Sequence, residues 1–157
     1  MSIAKLIGTF FGAGLIRPGP GTWGSLAALP VSWFILDIYG RPGLLLATLL
    51  FTIVGWIATH AYMRDMDAKA DPQEIVIDEV AGQMLTLCIL ASTSIVAFAI
   101  GFLLFRLFDI TKPGPIGWAD RKLPGAAGVM MDDLLAGMAA AALLALIIAL
   151  IPAGIFL

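Results

Sequence analysis

VAGQMLTLCILASTSIVAFAIGFLLFRLF, residues Val80–Phe108, is an unbroken apolar run with no acidic side chain and only Arg106 near its end. A single crossing of a bilayer takes about 20 apolar residues, so this run is too long for one helix and short for two. Its one polar interruption is Ser92-Thr93-Ser94. If the run crosses once, the acidic pair Asp78-Glu79 before it and Asp109 after it lie on opposite sides of a membrane. If it folds back at Ser92–Ser94, both ends return to the same side. Basic residues arbitrate, because they collect on the cytoplasmic side of short loops. A single crossing leaves Lys5, Arg17, Arg64 and Lys69 facing Arg41, Arg106, Lys112, Arg121 and Lys122, which is no bias. The hairpin gathers all of these on one side except Arg41, and all the carboxylates except Asp37. The pattern therefore predicts a broken helical hairpin. Its arms of about 14 residues, roughly 21 Å each, need local thinning or shelter among other helices.

Three further apolar stretches surround it: Leu26–Ile38, which carries Pro30, Leu44–His60, and Leu134–Leu157. The chain has 157 residues, 61% of them hydrophobic and only 13% charged, with a mean hydropathy of +1.01. Soluble proteins carry about twice that share of charge. Together these features predict one domain, residues 1–157, folded as an all-α, compact integral-membrane bundle of four to five embedded helices. The charged face is expected to be cytoplasmic, with the last helix ending on the far side. A net charge of −2 and the lack of a basic stripe argue against a nucleic-acid partner. The single cysteine, Cys88, lies inside an apolar run, rules out an intrachain disulfide and reads as a buried thiol rather than a nucleophile. Gly8, Gly12 and Gly14 make a poor signal-peptide core, so the N-terminal segment is expected to be retained.

Polar chemistry is concentrated in four elements. Arg17-Pro18-Gly19-Pro20-Gly21-Thr22-Trp23-Gly24-Ser25 opens into an apolar helix. Such a loop presents backbone N–H groups and the Thr22 and Ser25 hydroxyls to an anion, or it is a rigid turn with a Ser or Thr cap. Asp78 and Glu79 enter the central run as adjacent acids. Helix-dipole capping accounts for negative charge there, but not for two carboxylates followed by Gln83 one turn inside an apolar helix. Arg106 and Lys112, around Asp109, suit phosphate as a fork and a point charge; a basic belt at a membrane edge has the same composition. Asp109-Ile110-Thr111 shares Asp-x-Thr with enzymes that form an aspartyl-phosphate, a match of little weight at this length. Finally, Asp132 and Asp133 open the last apolar helix behind the flexible pair Gly125 and Gly128, as Asp78 and Glu79 open the central one. Two acidic pairs brought together make an oxygen-rich set suited to Mg²⁺, and no Cys/His cluster exists for zinc. His60, the lone histidine, reads as a helix-end residue before it reads as an acid–base group, and the four tryptophans as interfacial anchors.

Taken in order, "GTWGSL" (Gly21–Leu26), "IVIDEVAGQ" (Ile75–Gln83), "FRLFDITKPGPI" (Phe105–Ile116) followed by "DR" (Asp120-Arg121), and "GVMMDDLLAG" (Gly128–Gly137) resemble the phosphatidylglycerophosphatase A family. The resemblance implies a magnesium-dependent phosphatase of the bacterial inner membrane. Its substrate would be phosphatidylglycerophosphate, hydrolysed to phosphatidylglycerol and phosphate on the route to cardiolipin. The roles implied are metal ligation within Asp78, Glu79, Asp132 and Asp133, with Asp109 as a further ligand or water-orienting base. Arg106, Lys112 and Arg121 would hold phosphate, with Thr22 and Ser25 as neutral donors. A CDP-alcohol phosphotransferase would need an Asp-Gly-x₂-Ala-Arg array that is absent. A small ion transporter would carry its acids mid-run, and a structural membrane protein has no need of two acidic pairs at helix starts. Oligomeric state is left open.

Overall fold

A computed structural model of the chain describes residues 2–65 and 72–151. Asp67, Lys69 and Asp71, counted on the charged side above, lie outside the described residues, as does the final segment to Leu157. The described residues are helical, with no strand among them. The elements are α1 (Ile3–Gly8), a 3₁₀ turn (Ala13–Leu15), α2 (Pro20–Asp65), α3 (Ile77–Leu87), α4 (Ile95–Thr111), α5 (Pro115–Lys122) and α6 (Ala126–Leu150).

The two apolar stretches Leu26–Ile38 and Leu44–His60 fall within the single 46-residue element α2. It is interrupted at Gly40, whose φ of 63° and ψ of −169° are not helical. Pro42 follows immediately, where a helix start has no use for its missing N–H. The arm before Gly40 begins beside Glu79, whose Oε1 lies where a Cβ on Gly21 would clash. At the other end, Arg41 donates from Nε to the Cys88 carbonyl at 2.8 Å and from Nη2 to Ile89 O at 2.9 Å. The second arm leaves from the same place, Thr48 Oγ1 standing 3.3 Å from Cys88 Sγ. It returns to the first end, where Tyr62 donates to the Glu74 carboxylate. Thus α2 is itself a hairpin, with its turn at the end remote from the acidic residues.

The run Val80–Phe108 divides as its polar interruption predicts. Helix α3 ends at Leu87, and α4 begins after Ser94, whose Oγ accepts from the Ala97 N–H. The two are antiparallel: Gly82 lies against Phe105, and Gly101 against Thr86 and Leu87. The arms are unequal, 11 residues in α3 and 17 in α4. The shorter is the buried one, with Asp78, Val80, Ala81, Gly82, Gln83, Met84, Thr86 and Leu87 all inside the bundle. Neighbouring helices supply the shelter that its length requires.

Helix α6 runs parallel to α3. Gly137 and Gly82 form the crossing: a Cβ on Gly137 would stand 2.5 Å from Gly82 O, and one on Gly82 2.5 Å from Asp133 O. Small residues at such a crossing let two backbones touch. The start of α6 corrects the sequence reading. It begins at Ala126, so Gly128 is helical rather than flexible, and Asp132-Asp133 lie about two turns into the helix rather than at its opening. α2 and α6 are long and apolar enough to cross a membrane. The charged end of the bundle carries Lys5, Glu74, Asp78, Glu79, Arg106, Asp109, Lys112, Asp132 and Asp133; the opposite end carries Arg41 and the exposed Asp37.

Candidate active site

The first turn of α3 turns Asp78 and Glu79 into the bundle, and the touching of α3 and α6 at Gly82 brings Asp133 to them. Carboxylate oxygens of Asp78, Glu79 and Asp133 all lie within 4.8 Å of one another. Asp78 and Asp133 are buried, at 5% and 4% exposure, where charged groups are rarely found. Asp109, from the last turn of α4, completes the group and faces both Glu79 and Asp133 electrostatically. Like charges so close need protons or a cation between them. Glu79 Oε2 is buried without a protein hydrogen-bond partner.

Two cations flank the acids. Arg106 forms an ion pair with Asp109, three residues on and so on the same face of α4. The Arg106 Nη1 end also reaches the start of α2, 3.2 Å from where a Gly21 Cβ would stand. Glycine at 21 is what lets the helix backbone approach Glu79 and Arg106. Lys112 caps α4 in a left-handed conformation, φ 43° and ψ 54°. Its Nζ donates to Asp120 Oδ1 at 2.5 Å and to Asp132 Oδ2 at 2.6 Å, tying α4, α5 and α6 together. Partial burial works against the ammonium charge, but the two carboxylates outweigh it and hold the Lys112 pKa above the ordinary lysine value.

Of the residues singled out from sequence, Asp78, Glu79, Asp109, Asp133 and Arg106 come together in this way. Asp132, the neighbour of Asp133, turns instead to Lys112. Ser25 is buried and its hydroxyl donates to Gly21 O at 2.8 Å. Thr22 is half-buried in the first turn of α2, and Arg121 is exposed on α5, its guanidinium against Gly117 of the same helix. His60 is exposed on α2. Cys88 is buried at the opposite end of α3.

A second cluster was not legible in the sequence. Glu74 accepts from Tyr62 and pairs with Lys5 Nζ at 3.2 Å, fastening α1 to the second arm of α2; Arg17 donates to Gln73 at 2.9 Å beside it. The Tyr62 hydroxyl, helped by Lys5, holds the Glu74 carboxyl below its usual range. Gln83, conspicuous in the sequence one turn inside the apolar run, is wholly buried, with neither amide atom hydrogen-bonded.

The phosphatidylglycerophosphatase A family model matches residues 6–148, which contain every residue of this site. The chain belongs to that family. Phosphatidylglycerophosphatase A of Escherichia coli (strain K12) is 37% identical over 139 residues, covering 88% of this chain and 80% of the relative. The protein of the same name from Haemophilus influenzae is 39% identical over 133 residues, 85% of this chain and 81% of the relative. A Bacteroides thetaiotaomicron relative, 35% identical over 144 residues (85% of this chain, 86% of the relative), is named as a candidate phosphatidylinositol-3-phosphatase. All three names describe removal of phosphate from a phosphatidyl lipid; they differ in the head group. No solved structure matches the chain.

Proposed function

We propose that this chain dephosphorylates phosphatidylglycerophosphate, in phosphatidylglycerol synthesis, by direct attack of water at the charged end of a membrane-embedded bundle. The observation that carries this reading is the meeting of Asp78, Glu79 and Asp133 beside Arg106. Four carboxylates alone would repel a phosphomonoester, so the site needs cations of its own. Arg106 is one, placed to fork onto phosphate oxygens once Asp109 releases it. A divalent cation fits as the other, since hard oxygen donors suit Mg²⁺, and a buried Glu79 oxygen lacks any protein partner. Asp78, Glu79 and Asp133 would hold it. Bound there, magnesium would offset phosphate charge and make water more acidic.

The residues of the chain supply the rest. Asp109 accepts the proton of the attacking water, and its tie to Arg106 couples that event to phosphate binding. The start of α2 reaches the same group at Gly21; the Thr22 and Trp23 N–H groups are engaged by Gly19 O, which leaves the Thr22 hydroxyl as the neutral donor. Lys112 and Arg121 draw the anionic head group toward the site, with Lys112 also holding Asp132 out of the carboxylate group.

Membrane embedding rests on the surface of the helices. Phe34, Leu46, Leu49 and Ile57 of α2, Leu103 and Ile110 of α4, and Leu146 and Leu150 of α6 are each more than half exposed, more apolar surface than water tolerates. The arms of α2, residues 20–39 and 41–65, extend about 30 and 37 Å, and α6 about 37 Å, enough to cross a ~30 Å hydrocarbon layer. With α4 and the enclosed α3 this makes five embedded helices in the inner membrane. The excess of basic residues at the charged end makes that end cytoplasmic.

The test is phosphate release from phosphatidylglycerophosphate by purified protein in detergent, with magnesium or with EDTA, and phosphatidylinositol 3-phosphate as a parallel substrate. Release should depend on magnesium and fall at least about 10²-fold in Asp78→Asn and Asp133→Asn. Undiminished release in EDTA, or from Asp133→Asn, would remove the metal site. Preference for the inositol lipid would move the chain's substrate to the head group named for the Bacteroides relative.

A further inference from the structure

Gln83 is 0% exposed, and neither its Oε1 nor its Nε2 has a hydrogen-bond partner. Leaving both ends of a buried carboxamide orphaned is destabilising, so a fold seldom keeps such a group for stability alone. The position of the residue explains it. Gln83 is four residues after Glu79 and therefore on the same face of α3, about 6 Å further along the axis. Helical side chains lean toward the helix N-terminus, which carries the carboxamide back toward the turn that bears Asp78 and Glu79. Helix α3 meets α4 where Gly82 packs on Phe105 and Thr86 and Leu87 pack on Gly101, and Arg106 and Asp109 of α4 rise from this seam to the site. The Arg106 Nε, on the same seam, is likewise buried and without a partner.

We infer that Gln83 is a catalytic residue for the phosphatase reaction, its carboxamide hydrogen-bonding the attacking water from beneath the carboxylate group. An amide suits that task because it accepts from water and donates to a phosphoryl oxygen at once, without adding charge to a crowded acidic site. In the step it serves, the water oxygen forms a bond to phosphorus and the phosphorus–oxygen bond to the glycerol breaks. The electron pair leaves on the glycerol oxygen, which takes a proton from solvent, and the proton of the water goes to Asp109. Gln83 gains and loses no proton.

The inference rests on the site proposed above, and the experiment separates the two. Gln83→Met and Gln83→Leu remove both polar ends at similar volume. They are assayed beside wild type and Asp133→Asn for kcat, for KM in mixed micelles and for thermal unfolding in detergent. Both Gln83 variants should lose about 10²-fold in kcat, keep KM within about threefold, and unfold at or above the wild-type temperature, because an unpartnered buried amide has been removed. A structural glutamine would lose stability with activity. A kcat within about threefold of wild type, or a kcat loss accompanied by lowered unfolding temperatures in both variants, overturns the inference. If that happens while Asp133→Asn is inactive, the carboxylate site stands without Gln83; if Asp133→Asn is active, the site itself has failed and Gln83 with it.

Discussion

Replacing Gly82 by alanine tests whether the contact between α3 and α6 sets the carboxylate geometry. The added Cβ would stand 2.5 Å from the backbone oxygen of Asp133 and 2.6 Å from Phe105 Cε2. Real Cβ contacts begin near 3.0 Å and become ordinary at 3.4 Å, so the backbone at Asp133 must retreat by about 0.5–0.9 Å. Phe105 is wholly buried and has nowhere to turn. Overpacking of this kind costs about 1–3 kcal/mol. The retreat falls on the residue that closes the Asp78–Glu79–Asp133 group, and a misplacement near 1 Å costs on the order of 10²-fold in rate. Gly82→Ala should therefore lower the unfolding temperature modestly and kcat severely. Gly101→Ala is the control: its Cβ meets side-chain ends of Leu87 and Leu144 at 3.0 and 3.3 Å, which can yield. Phosphate release and thermal unfolding in the same detergent read both effects. Gly82→Ala with a kcat within about twofold of wild type would refute the reasoning, as would equal losses in the two variants.

Other perturbations reach the supports of the site. Lys112→Met deprives the buried Asp132 of its cation and should cost about 1–3 kcal/mol, discounted for the partly exposed lysine; Lys112→Met/Asp132→Asn should recover part of it in unfolding experiments. Arg41→Met strips the guanidinium from the Cys88 and Ile89 carbonyls at the end of α3, a loss of about 1–3 kcal/mol that leaves the KM for substrate unchanged. Because the Glu74 carboxyl titrates below its ordinary value, its stabilisation is complete above that ordinary value of 4.5 and is lost as pH falls through the folded-state pKa. Glu74→Gln should therefore flatten the acid limb of unfolding temperature against pH while lowering stability near neutrality.

The fold was legible where charge had to choose a side. Arg41 and Asp37 stand apart from the other charged residues in the sequence and stand apart in the bundle, and the Ser92–Ser94 interruption coincides with the turn into α4. What the sequence hid was helical phase. Adjacent residues on a helix point about 100° apart, and on α6 it is Asp133 that turns to α3 while Asp132 turns to Lys112. Which one does so depends on where α6 begins, and Gly125-Ala126-Ala127-Gly128 reads as loop until it is seen packed. Ser25 was misread as a free donor for a related reason: inside a helix its hydroxyl folds back on the carbonyl one turn earlier. The Lys5–Glu74–Tyr62 cluster joins distant segments with no shared motif, and only the hairpin of α2 brings them together.

The touching of α3 and α6 also bears on how the protein is made. Asp78 and Glu79 are synthesised midway along the chain, on a helix of about 16 Å that cannot span a bilayer by itself. Asp133 comes with the last helix. Every earlier stage of translation thus holds an acidic helix without the neighbour that closes its carboxylate group. If the site proposed above is the reaction centre, an unfinished chain would be silent toward the lipids it is threaded among, and activity would wait for α6 to pack on α3.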